Sequence, residues 1–398
     1  MLQAEVGSAN NATACEIGET QMGCGLVERS VLFHAVGDIM FGDHPLNAGR
    51  GAHSTLSTKS PAFPFEHVAP VLSRADLVFG NLECTLSQVG LRSGDYHSMQ
   101  LRGQLSYAEA LDRAGFGVVC VANNHSMQHG REAFLETVDA LRTAGIAVCG
   151  LAGATYRTVV PEIVEKNGLG IAFLGWSLRP RRYFAAGPLY AEGYPDDMVS
   201  DVRSARTAHD CVVVSLHWGD EFVDRPAPTE IRLAHDLMDA GADLIIGHHP
   251  HVLRGCERYG RGWIIYSLGN FLSDMIWSDR MRESAIAQCR LTAEGVDELE
   301  FVPVRIVDDF RPVPLEGAEA LSIQRRLTVL SADLRHASSD DLASESFASA
   351  YRIEAVGALA EERRRSRLHF LRNLPRQPPA VLAQQLATFV RNRIAERG

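Results

Sequence analysis

Five short apolar runs in this chain each stop at a cluster of residue types that bind metal ions. Residues 31–37 (VLFHAVG) run into Asp38, and 76–80 (DLVFG) into Asn81 and Glu83. Residues 118–121 lead to Asn124 and His125, 212–216 to His217, and 244–247 to His248, His249 and His251. Runs this short and this apolar read as strands buried on both faces. Helical spacing fills much of the chain between them, at 65–74, 104–114, 130–143 and 229–240. Strand–helix alternation predicts an α/β fold. Polar groups that directly follow strands in such folds sit at the carboxyl edge of the sheet, where ligands bind. Taken singly, Asp38 reads equally well as a turn residue or helix cap. Five buried polar clusters together would cost free energy unless something satisfied them, and a pair of metal ions would. Carboxylates mixed with neutral imidazoles suit manganese, iron or zinc better than calcium or magnesium.

The remaining sequence sets bounds. At 398 residues the chain can bury a large core, and an α/β fold uses this much chain as one unit. A net charge of −10 argues against a nucleic-acid partner. Residues 351–398 invert that sign, with ten arginines, no lysine and four glutamates. Within them, EERRRSR at 361–367 reads as a solvated helix face, with an anion- or membrane-surface patch as the sharper alternative. Eight cysteines without C-x-x-C spacing read as reduced thiols of a cytoplasmic protein, several of them in apolar runs. No stretch has the roughly 18 apolar residues of a membrane span, and residues 1–29 lack the pattern of a secretory signal and read as a flexible leader. Residues 158–164 and 169–175 suggest a hairpin around Asn167-Gly168, and 177–198 a long surface loop. Further strands are expected at 284–292 and 297–306, and helices at 317–335, 341–371 and 380–396. No phosphate-cradling glycine motif of the P-loop or dinucleotide type is present.

The stretches GDIMFGD, ADLVFGNLE, VANNHSMQHG, HWGDE and AGADLIIGHHPHVLRG, with IIYSLGNF, resemble the CapA family of poly-γ-glutamate capsule synthesis proteins. That family lies within the calcineurin-like metallophosphoesterase superfamily, and the resemblance covers roughly residues 31–305. It implies a four-layer α/β/β/α sandwich over residues 30–310, followed by a helical extension over 311–398. It also implies two divalent transition metals (manganese, iron or zinc), or a single occupied site. Asp38 and His251 would hold the first metal; Asn124, His217 and His249 the second. Glu83 is expected to supply the carboxylate missing at Asn81, and His125 to act as general acid or transition-state stabiliser. His248 reads as a neighbour rather than a ligand, and the SLGNF turn as a family marker that supports the site floor. Departures from the superfamily pattern at Met40 and from the family pattern at Gln128 stand out. Met40 replaces a histidine ligand, and Gln128 stands where a supporting carboxylate is expected.

The function this implies is hydroxide-driven attack by a metal-bound water on a phosphoester or on an amide of a γ-glutamyl polymer or peptide. The alternative is a non-catalytic accessory protein of polymer synthesis or export that binds polyanion. Asn81, Glu221, Arg179 and Arg254 are expected to contact substrate, with Arg181 and Arg182 nearby. The substrate class is a small molecule, a peptide or an anionic polymer. The C-terminal helices suggest a homo-oligomer contact, and their arginines leave peripheral membrane association open.

Overall fold

Neighbouring residues of the runs 212–216 and 244–246 point to different cores, which fixes the layer structure. A computed structural model describes residues 29–92, 94–180, 187–334 and 344–395. The expected leader therefore lies outside the described residues except for Arg29, as do Arg181 and Arg182.

The first sheet has eight strands. Its central part is β1 (Ser30–Ile39), β2 (Leu77–Leu82), β5 (Phe116–Cys120) and β6 (Ala147–Cys149), all parallel. A two-stranded pair, β3 (Thr85–Leu86) and β4 (Arg102–Gly103), stands apart from it. The second sheet has six strands. Its hairpin β7 (Glu162–Lys166) and β8 (Leu169–Ser177) turns at Asn167-Gly168, and β8 continues in parallel with β9 (Cys211–His217) and β10 (Leu244–His248). β11 (Cys256–Tyr259) and β12 (Gly262–Ile265) complete it. β13 (Asn270–Leu272) returns beside β1, and the antiparallel strands β14 (Glu283–Thr292), β15 (Gly295–Ile306) and β16 (Pro312–Pro314) extend the first sheet to Pro314.

In β9, Cys211 and Val213 enter the core between the sheets, while Val212, Val214 and Leu216 face outward. β8 divides in the same way, with Ile171 and Phe173 inside and Ala172, Leu174 and Trp176 outside. Phe173 meets Phe33 and stacks on Phe79, closing the two sheets face to face. Helices cover both outer faces. α1 (Arg131–Thr143) buries Phe134, Val138 and Leu141 against the first sheet. α2 (Pro195–Ala208) and α3 (Pro228–Ala240) bury Met198, Val202, Ile231 and Leu237 against the second. The result is a four-layer α/β/β/α sandwich.

Three long helices follow: α4 (Gly317–Leu334), α5 (Glu345–Asn373) and α6 (Pro379–Ala395). α4 packs across β11 and β15 through Ile323 and Leu327. Two sequence expectations need correction. The helix expected over 65–74 is a 3₁₀ turn and the short helix Ala69–Leu72, broken up by Pro64 and Pro70. The surface loop expected over 177–198 gives way at its end to α2, which starts on Pro195 with Asp196 and Asp197 in its first turn. That start signal is local and precedes a polar helix, so apolar periodicity alone does not show it.

Candidate metal centre

Asp38 sits where β1 meets both β2 and β13. Gly37 makes this approach possible, because a Cβ there would lie 2.0 Å from the Gly269 carbonyl oxygen. Asp38 N–H instead donates to that carbonyl at 3.0 Å. The Asp38 carboxylate is fully buried and accepts three hydrogen bonds. Asn81 Nδ2 donates at 2.8 Å, His248 Nδ1 at 3.0 Å, and the His249 backbone N–H at 3.1 Å. Burial alone would raise this carboxyl. The hydrogen bond and charge of His248, with His251 and His217, hold it below the ordinary range.

Glu83 is the centre of the cluster. It is completely buried, and neither carboxylate oxygen has a hydrogen-bond partner among the described residues. Oε1 lies 3.4 Å from His217 Nε2 and 4.0 Å from His125 Nε2; Oε2 lies 3.9 Å from His251 Nδ1. Burial, with Asp38 and Glu221 nearby, raises its carboxyl well above the usual range. An orphaned carboxylate in a closed interior is expensive. Both ring nitrogens of His249, and Nε2 of His248, are likewise buried without a hydrogen-bond partner among the described residues. Burial keeps His217 and His249 well below the normal imidazole range, and the surrounding histidines add to this. They are therefore neutral at neutral pH, the form that binds metal.

Among the described residues, two groups of donor atoms are close enough to hold an ion, with all atoms in each group within 4.8 Å of one another. One is Asp38, Glu83 and His217; the other is Glu83, His249 and His251. Glu83 belongs to both. This grouping differs from the one implied by the superfamily pattern, which places Asp38 with His251 and His217 with His249. Asn124 Oδ1 lies 2.7 Å from His217 Nε2, beside the first group.

The loop carrying His249 and His251 holds both in the left-handed backbone region, at φ 93° and 59° around Pro250. Such conformations cost free energy in non-glycine residues and gather at functional sites. Asn270 Oδ1 accepts from His251 Nδ1 at 3.0 Å, so the SLGNF turn sets the orientation of His251 as well as the site floor. On the rim, His125 Nδ1 lies 2.9 Å from Gln128 Oε1, so the glutamine takes the orienting position where a carboxylate was expected.

The substrate residues expected from sequence separate. A cleft of about 600 Å³ is lined by Asn124, Arg179, Glu221 and His249, and its far wall is α5. Arg179 is anchored on the Gly219 carbonyl and lies 3.7 Å from Asp220. Arg254 does not line this cleft. It is fully buried, with Nε on the Val223 carbonyl at 2.8 Å, Nη1 on Glu230 at 3.1 Å and Nη2 on the Asp220 carbonyl at 3.1 Å. Its donors are spent holding the loop after β9, which corrects the substrate role expected of it. Asn81 is also fully buried and acts on Asp38 and Asn123, so a substrate contact is corrected there too. Sequence reasoning missed His248 and Asn270 as positioning residues. Their side chains are polar but their partners are 210 and 19 residues away, so no local pattern marks them.

Two facing sheets, flanked by helices, whose parallel strand ends converge on a carboxylate–imidazole cluster define a four-layer α/β/β/α protein. Comparison with known proteins narrows the class. Residues 33–275 match the family model described as bacterial capsule synthesis protein PGA_cap. The chain is 32% identical to the capsule biosynthesis protein CapA of Bacillus anthracis over 309 residues, covering 74% of this chain and 72% of that protein. It is also 32% identical to the PGA biosynthesis protein CapA of Bacillus subtilis over 302 residues, covering 74% and 76% respectively. Among solved structures, a 5'-nucleotidase from Candida albicans aligns with a TM-score of 0.40 at 10% identity, over 84% of this chain and 58% of that one. The chain belongs to the CapA-like bacterial capsule synthesis (PGA_cap) family.

Proposed function

We propose that this protein is a metal-dependent hydrolase whose two metal positions share Glu83, and that it acts on an anionic γ-glutamyl polymer or peptide, or on a phosphoester. The observation that carries the reading is Glu83 itself, buried with two unpartnered oxygens and common to both ligand groups. The donor set fits manganese, iron or zinc, since it combines two carboxylates with neutral imidazoles. Asp38 and His217, with Asn124 beside them, would hold one ion, and His249 and His251 the other. When bound, such a pair supplies Lewis acidity and a nucleophile at neutral pH.

The protein's own residues do the rest. His248, Asn81 and the His249 backbone fix both oxygens of Asp38, and Asn270 fixes His251. Gln128 Oε1 accepts from Nδ1–H of His125. That leaves Nε2, on the rim 4.0 Å from Glu83, as the atom that holds or delivers a proton to a leaving group. Arg179 offers a guanidinium to an anionic group entering the cleft.

The test uses the purified full chain, stripped with a chelator and reloaded with manganese or zinc. It is assayed on a phosphomonoester, a phosphodiester and γ-glutamyl amides, with metal content read by emission spectrometry. Turnover of one class that disappears on stripping and returns on reloading supports the reading. Less than one ion per chain together with no turnover overturns it in favour of a polyanion-binding accessory protein.

A further inference from the structure

The helix α5 lies outside residues 33–275 that match the family model, yet it forms one wall of the metal-site cleft. We infer that this wall reads the substrate, and that it selects an extended chain with repeated anionic groups over a small ester. The inference rests on the proposed use of the metal centre for its location, and its test does not require turnover.

The stripe of α5 facing the cleft includes Tyr351, Arg352, Val356, Leu359 and Arg363. From Arg352 the offsets are four, seven and eleven residues. At 3.6 residues per turn these stay on one face, and eleven residues return within about 20° of the start after three turns. With a rise of 1.5 Å per residue, the Cα positions of Arg352 and Arg363 stand about 16 Å apart along the axis. Val356 lies between them, 70% exposed despite being apolar. Two cations spaced this way along one face suit two anionic groups better than a single phosphate or carboxylate. An extended chain whose anionic groups are separated by methylenes supplies them, with its apolar spacers on Val356 and Leu359.

The guanidiniums are available. Arg363 makes no side-chain hydrogen bond or ion pair with the described residues. Arg352 is paired with Glu345, which is 83% exposed, and exposed pairs of this kind are weak. The wall itself is fixed in place. Tyr351 Oη donates to Asp220 Oδ2 at 2.9 Å, and Asn47 Oδ1 accepts from His369 Nε2 at 3.0 Å further along the helix. Two acids also line the cleft. Asp220 is engaged by Tyr351 and Arg179. Glu221 lies close enough to Glu83 to act on its charge and so marks the metal end.

Calorimetric binding of the full, metal-loaded chain tests this, using a γ-glutamate tetramer, a γ-glutamate dimer and inorganic phosphate as probes. At low salt the double change Arg352→Gln and Arg363→Gln is expected to weaken the tetramer about tenfold while leaving the dimer and phosphate unchanged. The corresponding Lys pair should keep most of the tetramer affinity. Val356→Asp, at an exposed position, should weaken the tetramer as well and guards against a folding artefact in the double variant. Unchanged tetramer binding in these variants, or equal weakening of all three probes, overturns the inference. If the tetramer binds through these arginines but no substrate is turned over, the hydrolase reading falls and this one stands. If turnover occurs and the tetramer is indifferent to the arginines, the reverse holds.

Discussion

Because Glu83 belongs to both ligand groups and His249 to only one, their substitutions should remove different amounts of metal-linked stability. An ion that binds only the folded state adds RT ln(1 + [L]/Kd), about 4.1 kcal/mol at a thousandfold excess over Kd. Two such ions, if their contributions simply add, give about 8 kcal/mol. Unfolding entropy of about 2.1 cal/mol/K per residue converts this, for 398 residues, into about 1.2 °C per kcal/mol. The chelator-stripped protein should therefore gain about 10 °C on saturation with manganese. His249→Ala should gain about half of that. Glu83→Gln should gain almost nothing, although the side chain keeps its shape. In the stripped state Glu83→Gln should melt at or above the parent, since it removes a buried, unpartnered carboxylate next to Asp38. Differential scanning calorimetry of the three proteins, stripped and loaded, gives all six numbers. A Glu83→Gln protein that keeps more than half of the parent's metal-induced gain refutes the shared-carboxylate reasoning.

Three further outcomes follow from the packing. Arg254→Met leaves Glu230 buried without its cation and should cost about 3–5 kcal/mol by denaturant melts while the metal-induced gain persists; unchanged stability with weakened substrate binding would return Arg254 to the cleft. Asp274 is fully buried, and burial together with Asp43 pushes its carboxyl up to about 8. The folded state then holds a proton that the unfolded state releases near pH 4, so this group's contribution to stability falls as pH rises from about 4 to about 8 and is flat above that. Asp274→Asn should flatten that slope in melts taken across the window and stabilise the protein most at its alkaline end; an unchanged slope would count against it. Truncation after residue 316 removes Ile323, Leu327 and Leu334 from the core, each contributing about 2 kcal/mol, and should lower the melting temperature by at least about 5 °C or abolish soluble expression. A truncated chain that melts like the parent would show that α4 is not part of the core.

Much of this architecture is legible in the chain because a parallel strand buried on both faces has little choice of composition. Val212 to Leu216 and Leu244 to Ile246 announce themselves, and the polar residue after each must lie at the carboxyl edge. Glu83, two positions beyond Asn81, could be named from the polar step that ends β2. The helix α2 was not legible, since half of its surface faces water and its apolar positions are few. Arg254 misled for a physical reason. An arginine near an imidazole cluster reads as an anion hook, and only the fold shows that Glu230 and two carbonyls already use its donors. The part played by α5 was also out of reach. Its cleft-facing stripe is polar and apolar in turn, and nothing local ties Arg352 to His249 more than a hundred residues earlier.

The proposed two-ion centre joined by Glu83 can be tested directly. Crystals of the full chain soaked in manganese, measured at the manganese absorption edge, should show two anomalous peaks flanking the Glu83 carboxylate. One should lie against Asp38 and His217, the other against His249 and His251. An absence of peaks at saturating manganese, or a single peak that Glu83 does not touch, would contradict the account.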